Sequence, residues 1–143
     1  MQACLKAGAI VRMVTEDNIL IAKAIAKECG ILSFTPTAMA GCSDIAMERA
    51  EFRSLSTEDK GRIILNLKVL VRSSLDDKRI LVIRLKKMRE IVIVTDDRTN
   101  DASALAAADI GFLIGISGTE IARDAFSIVL INNNFASTVK AMM

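Results

Sequence analysis

Short aliphatic runs alternate with segments that carry helix-capping residues, from one end of the chain to the other. Val11-Arg12-Met13-Val14-Thr15 reads as a strand. Asp17 or Asn18 then caps a helix from Ile19 to Cys29, and Gly30 stops it. Within that helix Ile21, Ile25 and Cys29 fall on an apolar stripe. Residues 33–43, rich in Ser, Thr, Ala and Gly with one Pro, read as a flexible loop. Ile45-Ala46-Met47 is a weak strand. Ser56-Thr57-Glu58-Asp59 opens a helix with Asp59 at the capping-box position. Lys68 to Arg72 is a strand, and Asp76 or Asp77 caps a helix that runs to about Met88. Ile91 to Val94 is a buried strand that empties into a polar loop. Ala102 to Ala108 is a helix and Ile110 to Ile114 a strand. Gly118 to Ala125 is a helix, Ile128 to Ile131 a strand, and Phe135 to Met143 a last helix. Strands alternating with helices imply an α/β fold, a mostly parallel sheet with helices on both faces, in one domain spanning 1–143.

Composition narrows the functional classes. The chain has 143 residues and a hydrophobic content of 52%, enough for a packed core and against disorder. A net charge of +2 gives no global field for nucleic acid. Cys4, Cys29 and Cys42 are odd in number, without CxxC spacing, and read as reduced thiols of a cytosolic protein. No apolar run has the length of a membrane span, and Lys6 and Arg12 interrupt any secretory signal. The absence of His excludes imidazole-based zinc sites and Ser-His or Cys-His catalysis.

Candidate chemistry sits at strand ends. In Thr95 to Leu105, three carboxylates and one carboxamide fall within six positions: Asp96, Asp97, Asn100 and Asp101. Oxygen ligands at that density suit a hard cation such as Mg2+, and Asp97, Asn100 and Asp101 can share one with a phosphoryl group. Asp and Asn also serve turns and caps. Thr15, at a strand end before a helix, aims a hydroxyl at a point where free N–H groups converge, a geometry that holds phosphate; the plainer reading leaves Asp17 or Asn18 as an N-cap only. Lys78, at a strand-to-helix turn, is a point charge for phosphate or a solvated surface lysine. Lys78, Arg79, Arg84, Lys86, Lys87 and Arg89 have no acid among them. That is a basic helix for anionic lipid, calmodulin or nucleic acid, or a solvated face whose Leu81, Leu85 and Met88 cover a sheet. No aromatic residues interleave for base stacking. Gly111, Gly115 and Gly118 match no dinucleotide or Walker pattern and read as turn and packing residues.

In order along the chain, these segments resemble the P-type cation-transporting ATPases. Met13-Val14-Thr15-Glu16-Asp17-Asn18 resembles MVTGDN, and Arg72-Ser73-Ser74-Leu75-Asp76-Asp77-Lys78 resembles RSSPxDK. Thr95 to Leu105 resembles TGDGTNDAPAL; Ala108 to Gly111 and Gly115 to Ala122 resemble ADIG and MGxxGTExA. Glu51-Phe52-Arg53 and Asn134-Phe135-Ala136-Ser137 are most similar to the plant autoinhibited, plasma-membrane-type calcium ATPases. The resemblance covers nearly the whole chain apart from residues 33–43. It implies the C-terminal part of a phosphorylation domain with a haloacid-dehalogenase-like, Rossmann-like fold. Thr15, Lys78 and Asn100 would contact phosphate and Asp17 would lie near the nucleotide. Asp97 would ligate Mg2+, with Asp101 in the metal shell. ATP would be used in the full-length family, on the cytosolic side of a membrane.

Departures from the pattern bear on activity. The family's phosphorylated Asp lies in DKTGT; Asp59-Lys60 and Asp77-Lys78 occur here, but neither continues as Thr-Gly-Thr. Glu16, Asp96 and Arg98 stand at glycine positions, and Leu75 and Ser103 at proline positions. Asn132-Asn133 replace an acidic pair. Glu16 and Asp96 add negative charge where a polyanion would sit; two unit charges about 4 Å apart repel by roughly 4 kcal/mol at an effective dielectric of 20. The resemblance also places the absent nucleophile's strand mid-sheet, between the strands ending at Thr15 and Val94. Those two must pair directly, accept a partner's strand, or leave edges exposed. The expectation is a calcium-pump-like ATPase segment, inactive in isolation and binding Mg2+ weakly if at all. The alternative is a non-catalytic interaction module that docks on a pump or forms a homo-oligomer through an open sheet. A haloacid-dehalogenase-like phosphatase is disfavoured, since no nucleophilic Asp with a second Asp two positions on precedes Thr15.

Overall fold

A computed structural model describes residues 2–32, 44–96, 102–114 and 128–130. The chain forms two compact units, Met1–Ser74 and Leu75–Met143. Each has its own three-stranded parallel sheet among the described residues, where the pattern of runs suggested one sheet.

The first unit contains helix α1 (Gln2–Lys6), strand β1 (Met13–Val14), helix α2 (Ile19–Glu28) and strand β2 (Ile45–Glu48). Helices α3 (Arg49–Ser54) and α4 (Thr57–Ile64) and strand β3 (Leu67–Val71) complete it. The sheet order is β1-β3-β2, with Met13 opposite Val69 and Met47 opposite Leu70. Central β3 reads as a nearly continuous apolar run because both of its edges are paired and Leu67, Val69, Leu70 and Val71 are buried. Helix α2 starts where the Asn18 side chain accepts from the amides of Leu20 and Ile21, each at 3.0 Å. It ends at Gly30, whose φ of 75° suits glycine, with the Ile31 amide returning to the Ala26 carbonyl at 2.8 Å.

The buried face of α2 differs from the stripe inferred from sequence. Ala22 and Ala26 are buried, with Ile31, Val69 and Val71, whereas Ile21 and Ile25 are 49% and 41% exposed. Cys29, the third member of that stripe, does pack at the margin of this core. Side-chain size explains the inversion: methyl groups let the helix backbone approach the sheet closely, and the branched residues are turned outward. Helices α1 and α3 are additions to the sequence reading. They are 5 and 6 residues long, too short for a hydrophobic period to show. Helix α3 is anchored by Phe52, which is buried. At α4 the Ser56 hydroxyl accepts the Asp59 amide at 3.1 Å as expected, but the Asp59 carboxylate takes the Ser56 O–H at 2.7 Å, not the Ser56 backbone N–H of a capping box.

The second unit contains helix α5 (Leu75–Lys87), strand β4 (Ile93–Asp96), helix α6 (Ala102–Ala107), strand β5 (Ile110–Ile114) and strand β6 (Ile128–Leu130). The order is β4-β5-β6. Helix α6 packs on β4, β5 and α5, burying Ala104, Leu105 and Phe112. Helix α5 buries Leu81, Val82 and Leu85; Met88 lies beyond its end and is exposed, so Val82 takes its place on the apolar face. Asp76 and Asp77 lie inside the first turn of α5, not before it, because the helix already begins at Leu75. At that position a proline, as in the resembled motif, would also be at home.

The strand inferred over Ile91–Val94 runs instead from Ile93 to Asp96, so Thr95 and Asp96 are strand residues, with Asp96 opposite Leu113. Strand β4 begins two residues later because Val92 is diverted: its carbonyl accepts from the amides of Asp109 and Ile110, and its N–H is taken by the Asp109 carboxylate at 2.9 Å. Among the described residues, strands β1 and β4, the two that the resemblance sets beside an absent strand, are each the edge of their own sheet. The inferred loop at 33–43 and the helices at 118–125 and 135–143 lie outside the described residues.

Candidate functional site

In the first unit the candidate residues gather where β1 and β3 end. The Thr15 amide extends the β1–β3 ladder by donating to the Leu70 carbonyl at 3.0 Å. The Thr15 hydroxyl then accepts the Asp17 amide at 3.1 Å and donates to the Asp17 carboxylate at 3.0 Å. A short hydroxyl-to-backbone turn of this kind competes with any other use of the oxygen. Asn18 is therefore the cap of α2, and Asp17 is an exposed turn residue hydrogen-bonded to Thr15. The Thr15 carbonyl accepts twice from Ser73, from the amide and from the hydroxyl, both at 3.1 Å. Ser73 is buried. Arg72 makes this possible: at φ 51° it turns the chain sharply after β3, and its amide donates to the Asp17 carbonyl at 3.2 Å. Ser73 is a positioning residue that periodicity does not single out. Only its place in the RSSPxDK-like segment hints at it, since a buried hydroxyl on a distant carbonyl has no local signature.

In the second unit Lys78 lies in the first turn of α5. Its ammonium stands 3.5 Å from the Asp96 carboxylate at the end of β4, and both side chains are only 16% exposed. At that separation the gross attraction is about 5 kcal/mol at an effective dielectric of 20, offset in part by the desolvation of both ions. Lys78 is thus no solvated surface lysine. Asp96 is the partner that sequence reasoning misses, because along the chain its charge reads as part of a cation-binding cluster or as a repulsion toward phosphate, not as a partner for Lys78. The rest of the basic run divides. Lys86 bonds the Ala107 carbonyl at 3.1 Å and pairs with Asp109 at 3.2 Å, while Arg79, Lys87 and Arg89 are exposed and Arg84 is half-buried. The Val92 amide and Lys86 together hold the Asp109 carboxyl below its ordinary pKa.

The remaining candidates, Asp97, Asn100 and Asp101, lie outside the described residues. Among the described residues no group of three or more Asp, Glu or Cys side chains is arranged to hold a metal. Asp96, the described carboxylate nearest to them in sequence, has an ammonium against it, which disfavours a cation there. No step through Mg2+ follows from this geometry.

The chain is 53% identical over 142 residues to Calcium-transporting ATPase 2 of Saccharomyces cerevisiae, covering 99% of this chain and 12% of that protein. It is 47% identical over 141 residues to the plasma membrane-type Calcium-transporting ATPase 7 of Oryza sativa, covering 99% of this chain and 13% of the relative. Calcium-transporting ATPase PAT1 of Dictyostelium discoideum is 46% identical over 143 residues, which is 100% of this chain and 12% of that protein. The chain is kin to one segment of the calcium-transporting P-type ATPases. No family model matches it. The likeness reaches fungal, plant and amoebal members, beyond the plant branch to which the sequence motifs pointed. The chain spans about an eighth of the length of these relatives. No helix among its described residues is long and apolar enough to cross a membrane.

Proposed function

We propose that this ATPase segment is the C-terminal part of a calcium pump's phosphorylation domain, with a haloacid-dehalogenase-like fold, and that it does not form an acyl phosphate by itself. The observation that carries the reading is positional. Thr15 closes a parallel strand, and Lys78 opens a helix beside the end of another parallel strand, the places where α/β folds present groups to ligands. In this reading Thr15 and Lys78 stand at the family's phosphate-contact positions, and Asp17 at its position near the nucleotide. Asn100, Asp97 and Asp101 complete the phosphate and Mg2+ shell, and ATP hydrolysis coupled to calcium transport belongs to the whole pump.

Loss of activity follows from chemistry. An acyl phosphate forms only on a nucleophilic carboxylate, and no Asp in the chain sits in a DKTGT setting. The Thr15 hydroxyl is spent on Asp17 and the Lys78 ammonium on Asp96. Incubation with radiolabelled ATP and Mg2+, followed by acid quench, is expected to leave no hydroxylamine-sensitive label on the protein. Label that hydroxylamine removes would overturn the proposal.

A further inference from the structure

We infer that Asp96 is an internal counter-ion that closes the Lys78 site to phosphate. The inference rests on the reading of Lys78 as a phosphate contact. Strand β4 extends through Asp96, and its register against β5 holds Asp96 opposite Leu113. That fixes the carboxylate on a rigid element rather than on a loop. The partner is equally fixed, in the first turn of the 13-residue helix α5, whose apolar face is buried through Leu81, Val82 and Leu85. The two charges meet at 3.5 Å with little of either side chain in water.

An anion held at such a place has two effects on a phosphate that approaches. It neutralises the ammonium that would attract the ligand, and its own charge repels the ligand. It also has an advantage that no free anion has: its translational freedom was lost on folding, so it competes at a high effective concentration. Glycine at this position, as in the resembled motif, supplies neither charge nor bulk. Asp96 therefore satisfies the lysine from within, from a strand and a helix that are already in place.

The test is titration of the 15N-labelled chain with inorganic phosphate, read by the chemical shifts of the Lys78 and residue-96 amides. The expected result is weak or absent binding by the parent. Asp96→Gly and Asp96→Asn are expected to bind at least roughly tenfold more tightly, equivalent to about 1.4 kcal/mol. Adding Lys78→Met to either variant is expected to abolish the gain. Asp96→Asn keeps the side-chain shape, so the result stands even where glycine loosens the strand. Equal affinity in the parent and Asp96→Asn, lost on Lys78→Met, overturns the counter-ion while leaving Lys78 a phosphate contact. The absence of Lys78-dependent binding in every variant overturns the phosphate reading of Lys78, and this inference with it.

Discussion

Adding one methyl group is expected to have opposite effects at two glycines. Gly111 lies in β5 beneath α6, and a Cβ there would stand 3.1 Å from the Leu105 carbonyl oxygen and 3.3 Å from Leu105 Cβ and Cδ2. Helix α6 would have to lift by a few tenths of an ångström, against a core in which Ala104, Leu105 and Phe112 are buried. Overpacking of this kind costs about 1–3 kcal/mol. The smaller entropy of the unfolded alanine chain returns about 0.4–1 kcal/mol. Gly111→Ala is therefore expected to destabilise the second unit by about 1–2 kcal/mol, on the balance of those two effects. Gly61 lies inside α4, and nothing stands within 4 Å of the place a methyl group would take, so Gly61→Ala meets no obstacle. It is expected to stabilise the first unit by about 0.5–1 kcal/mol, the helix-interior difference between the two residues. Amide hydrogen exchange reads each unit separately, through the slow amides of β5 and of β3. Protection in β5 should fall roughly tenfold in Gly111→Ala. Unchanged or slower exchange there would refute the close approach of α6 to β5.

Two further outcomes follow from local bonds. Asn18→Ala leaves the amides of Leu20 and Ile21 without their acceptor and is expected to cost about 1 kcal/mol, measured as a shift in the urea midpoint. Asp109 links pH to stability: its folded pKa is depressed, so its contribution is fully present above the ordinary carboxylate value of about 3.9 and is lost as pH falls through the lower folded value. Asp109→Asn should flatten that part of the acid-unfolding curve, and an unchanged curve would remove Asp109 from the account.

The sequence by itself settled what could be read from local order and period. The strand β5, the helix α2 with its stop at Gly30, and the apolar run of β3 all follow from side-chain type over a few residues, while the choice of Asn18 over Asp17 as the cap did not. So did the kinship, because motif order along the chain survives without any knowledge of contacts. What lay beyond it depended on distance in space. Which face of α2 is buried was decided by how closely the backbone could approach Val69 and Val71, and alanine won over isoleucine. Ser73 reached Thr15 from 58 residues away, and Asp96 reached Lys78 across 18 residues, through bonds that no period encodes. The same acidic stretch that read as a cation site from composition alone became, at Asp96, the counter-ion of a lysine. The charge of a residue is written in the sequence; the partner that decides its use is supplied by tertiary structure, because electrostatic energy depends on separation and burial.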